Sequence, residues 1–130
     1  MSRPTGFKLV LTGFVLAVLL GSGLTQAKGP APANLATTIT VAELPRPGAQ
    51  IYEQIRQGGP FGHEKDGMVF GNRERLLPGE KRGYYREYTV ATPNSRDRGA
   101  RRIVCGGPAR APDNCYYTGD HYASFRRIVP

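Results

Sequence analysis

The sequence predicts an α+β domain, one N-terminal helix packed on a small antiparallel β-sheet. Three observations lead there. The segment Pro47–Gly59 alone has convincing helical periodicity, with Ile51, Tyr52 and Ile55 on one stripe. The residues after it hold five short β-prone runs bounded by Gly, Pro, Asn or Asp. No helical pattern separates those runs, so an antiparallel sheet is expected rather than βαβ units.

In chain order, residues 1–27 have the three parts of a secretory signal. A basic start (Arg3, Lys8) leads into an apolar run from Leu9 to Leu24, and Thr25-Gln26-Ala27 supplies small residues for cleavage. A spanning helix needs roughly 20 apolar residues, so a retained anchor is the weaker alternative. With the signal removed, no membrane association is expected. Residues 28–40 read as a flexible lead-in rich in Pro, Ala and Gly, and Thr38–Val41 could add a short edge strand. Residues 41–130 form the expected domain. Its helix starts at Pro47, a residue suited to the first turn, and stops at Gly58. Residues 60–67 read as a loop. Strands are expected at Met68–Asn72, Tyr84–Thr92, Arg101–Gly106, Tyr116–Thr118 and Tyr122–Ile128. Alternation puts Tyr85, Glu87 and Thr89 on one face of the second run, and Tyr84, Arg86, Tyr88 and Val90 on the other. Such a sheet can cover one face with the helix and leave the other open to ligand.

Charge narrows the partners. Without Arg3 and Lys8, 16 of the 18 Lys and Arg remain against 10 Asp and Glu, a net of +6. Such a balance favours polyanions such as nucleic acid, anionic lipid or an acidic protein. Eight basic residues lie between Arg86 and Arg127, interleaved with tyrosines. The two cysteines, Cys105 and Cys115, lie ten positions apart. In an exported protein they most simply form one disulfide, and the alternative is a buried free thiol at Cys105. Two cysteines and two histidines show none of the close spacing of a zinc site, so no metal is expected. No cofactor is expected either.

Glu87 and His121 then attract attention. They fall in segments that look like neighbouring strands, with Arg96, Arg98, Arg101 and Arg102 between them. A carboxylate, an imidazole and a guanidinium cluster suit proton transfer at a phosphate ester. Each also has a plainer reading. Glu87 could be a solvent-face residue, Asp120-His121 a turn, Arg101-Arg102 a charged edge, and Glu74 a partner for Arg73 or Arg75. His63 lies in a Gly-rich loop and reads as surface.

Ordered blocks weigh on the choice. They are Gly59-Pro60-Phe61, Asp66-Gly67-Met68-Val69-Phe70-Gly71-Asn72-Arg73-Glu74, Leu77-Pro78, Gly83–Val90, Thr92-Pro93, Arg98–Gly106 and Tyr116–Ala123. Over about two-thirds of the chain they resemble the secreted bacterial guanyl-specific ribonucleases of the microbial, barnase-like ribonuclease superfamily. The resemblance implies a secreted, monomeric, metal-independent endoribonuclease that cleaves single-stranded RNA 3′ of guanosine through a 2′,3′-cyclic phosphate. Glu87 stands at the family's base position and His121 at its acid position, while Arg98 and Arg102 match the phosphate-holding arginines. Tyr122 matches a position whose hydroxyl bonds phosphate, and Tyr85 is placed with the substrate-binding residues. Guanine offers N1–H and N2–H₂ donors side by side, which Glu74 can accept. Backbone N–H groups near Asn72 and Arg73 can meet O6, with Gly71 contributing backbone only and Phe70 stacking on the base.

The chain departs from the family pattern by having no cysteine near either end of the domain; the staple is expected instead in the hairpin joining Cys105 to Cys115. Two other functions compete with the enzyme reading. One is a non-catalytic basic RNA-binding module with the same fold. The other is a ribonuclease toxin neutralised by an acidic, barstar-like inhibitor protein covering Arg73, Arg98, Arg102 and His121.

Overall fold

The computed structural model describes residues 37–130. The expected signal at 1–27, and most of the lead-in, lie outside the described residues. Six strands form one sheet: β1 (Thr38–Thr40), β2 (Met68–Val69), β3 (Tyr85–Thr89), β4 (Arg102–Gly106), β5 (Asn114–Thr118) and β6 (Arg126–Val129), in the order β1-β6-β5-β4-β3-β2. The helix, α1, runs from Arg46 to Gln57.

Helix boundaries follow local chemistry. Pro47 sits in the first turn, where its missing N–H costs nothing. Gly58 ends the helix in the left-handed region at φ 85°, and the N–H groups of Gly58 and Gly59 cap the carbonyls of Ile55 and Gln54. Ile55 is fully buried, with Ile51 and Tyr52 packed beside it. Gly48 is buried as well, and a Cβ there would stand 3.7 Å from Val90, so the helix lies close to the sheet.

The helix-side core holds Ile39, Leu44, Tyr88, Val90, Ile103, Tyr117 and Ile128 around a disulfide between Cys105 and Cys115. These cysteines are direct cross-strand partners in β4 and β5, with Cα atoms 4.1 Å apart, so the hairpin does carry the staple. No free cysteine remains.

Four expectations need correction. Thr38–Thr40 do form the short edge strand allowed for them, inside what was otherwise read as lead-in, but β1 lies parallel to β6, because the chain leaves it through a 3-10 turn (Val41–Glu43) for the helix and the last strand then joins its exposed edge. The other four pairings are antiparallel. The first β-prone run ends at Val69, since Asn72 turns the chain at φ 49°. Glu87 and His121 are not on neighbouring strands: Glu87 lies on β3, whereas His121 and Tyr122 form a left-handed loop between β5 and β6 (φ 55° and 70°). Finally, the sheet's second face is not simply open. A smaller core of Leu77, Tyr85, Val104, Tyr116 and Phe125 covers one end of it. Beyond that core the same face carries a short polar strip of Glu87, Thr89, Arg102 and Thr118, of which Glu87 alone is partly exposed while the other three are buried.

Candidate active site

The strip is built by strand register. Glu87 on β3 stands opposite Val104 on β4, and Thr89 stands opposite Arg102, which in turn faces Thr118 on β5. Alternation therefore delivers a carboxylate, a guanidinium and two hydroxyls to one face. Glu87 is held at both oxygens. Arg98 Nη2 donates to its Oε1 at 2.9 Å and the Tyr122 hydroxyl donates to its Oε2 at 2.8 Å. Arg98 is aimed by a second bond, Nε to Thr89 Oγ1 at 2.6 Å. The Arg98–Glu87 pair is largely shielded, with side chains 23% and 14% exposed.

Arg102 is a buried guanidinium with no carboxylate partner. Its Nη1 donates to the carbonyls of Arg101 (2.7 Å) and Arg98 (3.3 Å), and its Nε to the Tyr122 hydroxyl at 3.2 Å. Tyr122 is thus the hinge of the network, accepting from Arg102 and donating to Glu87. Burial, and then the bond to Glu87, push its phenol pKa above the ordinary value, so it stays a donor. The exposed His121 ring lies 4.9 Å from the Tyr122 ring, which puts an imidazole one ring away from the carboxylate.

The loop that presents His121 is fixed by neighbours. Thr118 Oγ1 accepts from the N–H of Tyr122 (3.1 Å) and donates to Asp120 Oδ1 (2.8 Å). Asp120 also accepts from the backbone and hydroxyl of Ser124, and the His121 N–H donates to the Ala100 carbonyl at 3.0 Å. Burial opposes the charged form of Asp120, but the bonds from Ser124 and Thr118 outweigh it and hold the pKa below the usual carboxylate value. The sequence reading did not single out Thr89 or Thr118, and took Asp120 only as part of a turn. The signal was present in Thr118-Gly119-Asp120 followed by Ser124, a hydroxyl and carboxylate pattern that builds turns through side chain to backbone bonds.

A cavity of about 330 Å³ joins this strip to the loop that follows β2. Phe70, Gly71, Asn72, Arg73 and Glu74 line it together with Glu87, Tyr122 and Phe125. Glu74 is exposed, and its side chain has neither an ion pair nor a hydrogen bond among the described residues, so pairing with Arg73 or Arg75 is not what occupies it. Phe70 already stacks on Tyr122, with centroids 5.2 Å apart and planes 23° apart. Asn72 spends its side chain on the loop itself: Nδ2 donates to the Leu77 carbonyl (3.0 Å) and Oδ1 accepts from the Leu77 N–H (3.1 Å). Leu77 anchors that loop in the smaller core. Tyr85 departs from its expected place. It is buried, its hydroxyl donates to the Pro78 carbonyl at 2.6 Å, and it borders a different cavity, so it supports the loop from below. Among the described residues, no three of His, Cys, Asp and Glu are grouped as a metal site needs.

Taken together, these features define a small basic α+β protein with a carboxylate, two arginines and a histidine gathered at one strip of its sheet and a cavity beside it that a second carboxylate lines. The family model described as ribonuclease matches residues 27–129. Guanyl-specific ribonuclease Sa of Kitasatospora aureofaciens is 45% identical over 95 residues, covering 73% of this chain and 96% of the relative. Guanyl-specific ribonuclease St of Saccharopolyspora erythraea is 49% identical over 91 residues, 70% of this chain and 86% of the relative. Guanyl-specific ribonuclease Sa3 of Kitasatospora aureofaciens is 50% identical over 90 residues, and this chain spans 62% of its length. Among solved structures, ribonuclease Sa2 in complexes with mononucleotides superposes with a TM-score of 0.69 at 41% identity, covering 78% of this chain and 98% of that one. A ribonuclease Sa2 structure with guanosine-2′-cyclophosphate gives 0.66 at 40% identity, covering 72% and 96%. The chain belongs to the ribonuclease family.

Proposed function

We propose that this protein is an endoribonuclease that cuts single-stranded RNA on the 3′ side of guanosine, leaving a 2′,3′-cyclic phosphate. The observation that carries the reading is that Glu74 and Glu87 line one cavity. One unpaired carboxylate suits a base with two adjacent N–H donors, and the other, locked between a guanidinium and a phenol, suits a proton abstraction.

In this reading Glu74 accepts from guanine N1–H and N2–H₂, backbone N–H groups near Asn72 and Arg73 meet O6, and Phe70 offers a stacking face. Glu87 takes the proton from the ribose 2′-OH, whose oxygen attacks the adjacent phosphorus. The bond to the 5′-oxygen breaks, and His121 supplies the proton that the leaving oxygen needs. An acid and a base of this kind each contribute about 10²–10⁴-fold. Arg98 and Arg102 carry fixed positive charge to the equatorial phosphate oxygens, and the Tyr122 hydroxyl adds a donor. Arg102 has no carboxylate to give up for this, since its bonds run to the Arg98 and Arg101 carbonyls and the Tyr122 hydroxyl. DNA lacks the attacking 2′-OH and would bind without being cut.

The disulfide favours an oxidising compartment, in keeping with secretion after removal of residues 1–27. A monomer, and an acidic inhibitor covering the arginines, belong to the same proposal. Incubating the protein with RNA in chelator and mapping the ends tests the reaction. Cyclic phosphates following G are expected, whereas tight RNA binding with intact RNA leaves the non-catalytic module in its place.

A further inference from the structure

On the far side of residues 69–73 lies a second, larger cavity of about 890 Å³. The two cavities share residues 69–73 as a common wall, with Arg73 on the rim of both. The outer cavity is bordered by Arg73, Arg75, Lys81 and Arg82 against a single acid, Glu80. All five side chains are exposed, and among the described residues none of the four cations makes an ion pair or a side-chain hydrogen bond. Pro78 and Tyr85 give the trough a fixed floor, since the Tyr85 hydroxyl is bonded to the Pro78 carbonyl.

We propose that this trough is a second binding site for the RNA strand, taking phosphates beyond the guanosine nucleotide. The argument rests on the ribonuclease reading and deepens it. A strand whose guanine enters the inner cavity crosses the shared wall at Arg73 and meets three further cations on the outer side. Unpaired guanidinium and ammonium groups around a concave surface bind a chain of phosphates by counterion release, which is independent of base identity and sensitive to salt. The trough therefore adds affinity for long strands and leaves the choice of guanosine to the inner cavity. Lone nucleotides and dinucleotides are too short to use it.

The test compares two substrates, the dinucleoside GpU and an oligouridine strand containing one guanosine. Both are cleaved by the wild type, by the Lys81→Gln/Arg82→Gln double variant and by Glu80→Gln. The double variant is expected to raise KM for the oligomer on the order of tenfold at low salt, and to leave GpU cleavage within twofold of the wild type. Its slope of log KM against log salt falls by about 1.4 if each cation neutralises one single-strand phosphate. Glu80→Gln moves KM for the oligomer the opposite way. Equal effects on both substrates, or none on either, overturn the proposal. A trough that holds poly-glutamate while KM for the oligomer stays unchanged also overturns it, in favour of an acidic protein partner. Binding of the uncleavable deoxy oligomer, read by fluorescence anisotropy, repeats the comparison without chemistry. A wild type that cuts neither substrate sinks the ribonuclease reading, while an affinity that ignores strand length sinks the trough.

Discussion

Replacing Glu87 with Gln isolates the proposed base with little damage to the fold. The side chain keeps its shape, and its amide oxygen can still accept from Arg98 or from Tyr122, which now hold the carboxylate at 2.9 and 2.8 Å. Arg98 loses a charge partner but retains Thr89 Oγ1 at 2.6 Å and is itself 23% exposed. The stability cost is therefore about 1 kcal/mol, a shift of roughly 4–8 °C in the unfolding midpoint. The chemical cost is larger. Loss of a general base lowers the rate by about 10²–10⁴-fold, or about 3–5 kcal/mol on the barrier. Activity at 25 °C should fall by that factor in a protein that remains folded. The assay is cleavage of GpU under single-turnover conditions, beside calorimetric binding of guanosine monophosphate and a thermal melt. Two outcomes refute the reasoning. A rate within tenfold of the wild type removes Glu87 as the base. A parallel loss of nucleotide affinity means that the cavity collapsed and that the chemistry was not what was measured.

The other predictions concern recognition, the histidine loop and the staple. Glu74→Ala should weaken guanosine monophosphate binding about tenfold or more and relax the preference for G; an unchanged cleavage pattern in sequenced RNA ends removes it from that role. The Asp120 carboxyl is held below its usual pKa, so its stabilising contribution is complete above about pH 4, the ordinary carboxylate value, and is lost as pH falls through the lower, folded value. Asp120→Asn should flatten the decline in melting temperature below pH 4 and lower the cleavage rate by loosening His121; identical acid limbs in the two proteins count against this account. Replacing Cys105 and Cys115 together with Ala should destabilise the domain by up to about 3 kcal/mol, as expected for so short a closed loop. Midpoints that match in the presence and absence of reductant for the wild type contradict that.

Much of the architecture was legible in single residues. Gly58 ended the helix where a left-handed cap was needed, and the alternation of Tyr84–Val90 separated Glu87 from Tyr88 and Val90. What escaped reading was decided by contacts distant in the chain. Phe70–Asn72 looked like strand continuation, yet Asn72 closes a loop onto Leu77. Tyr122 looked like the start of a strand, yet Thr118 and the Ala100 carbonyl pull its loop into left-handed backbone. Tyr85 shared a face with Glu87 and was read with it, but Leu77 and Phe125 cover that end of the strip. Of the site, Glu87, Arg98, Arg102 and Tyr122 do meet in one network, with His121 beside it and Glu74 across the cavity. Thr89 carries no charge and no distinctive spacing, which is why it stayed hidden, whereas the pattern around Thr118 signalled only a turn.

The sheet also works as a partition. Cys105 and Cys115 bridge the strands on the helix side, while Glu87 and Arg102, on the same or neighbouring strands, project from the opposite side. The cross-link and the proposed chemistry thereby fall on different surfaces of the same few strands. A descendant exposed to harsher surroundings could add, lose or shift its cross-link without disturbing proton transfer. One facing a different polyanion could rebuild its arginines while its lifetime stayed the same.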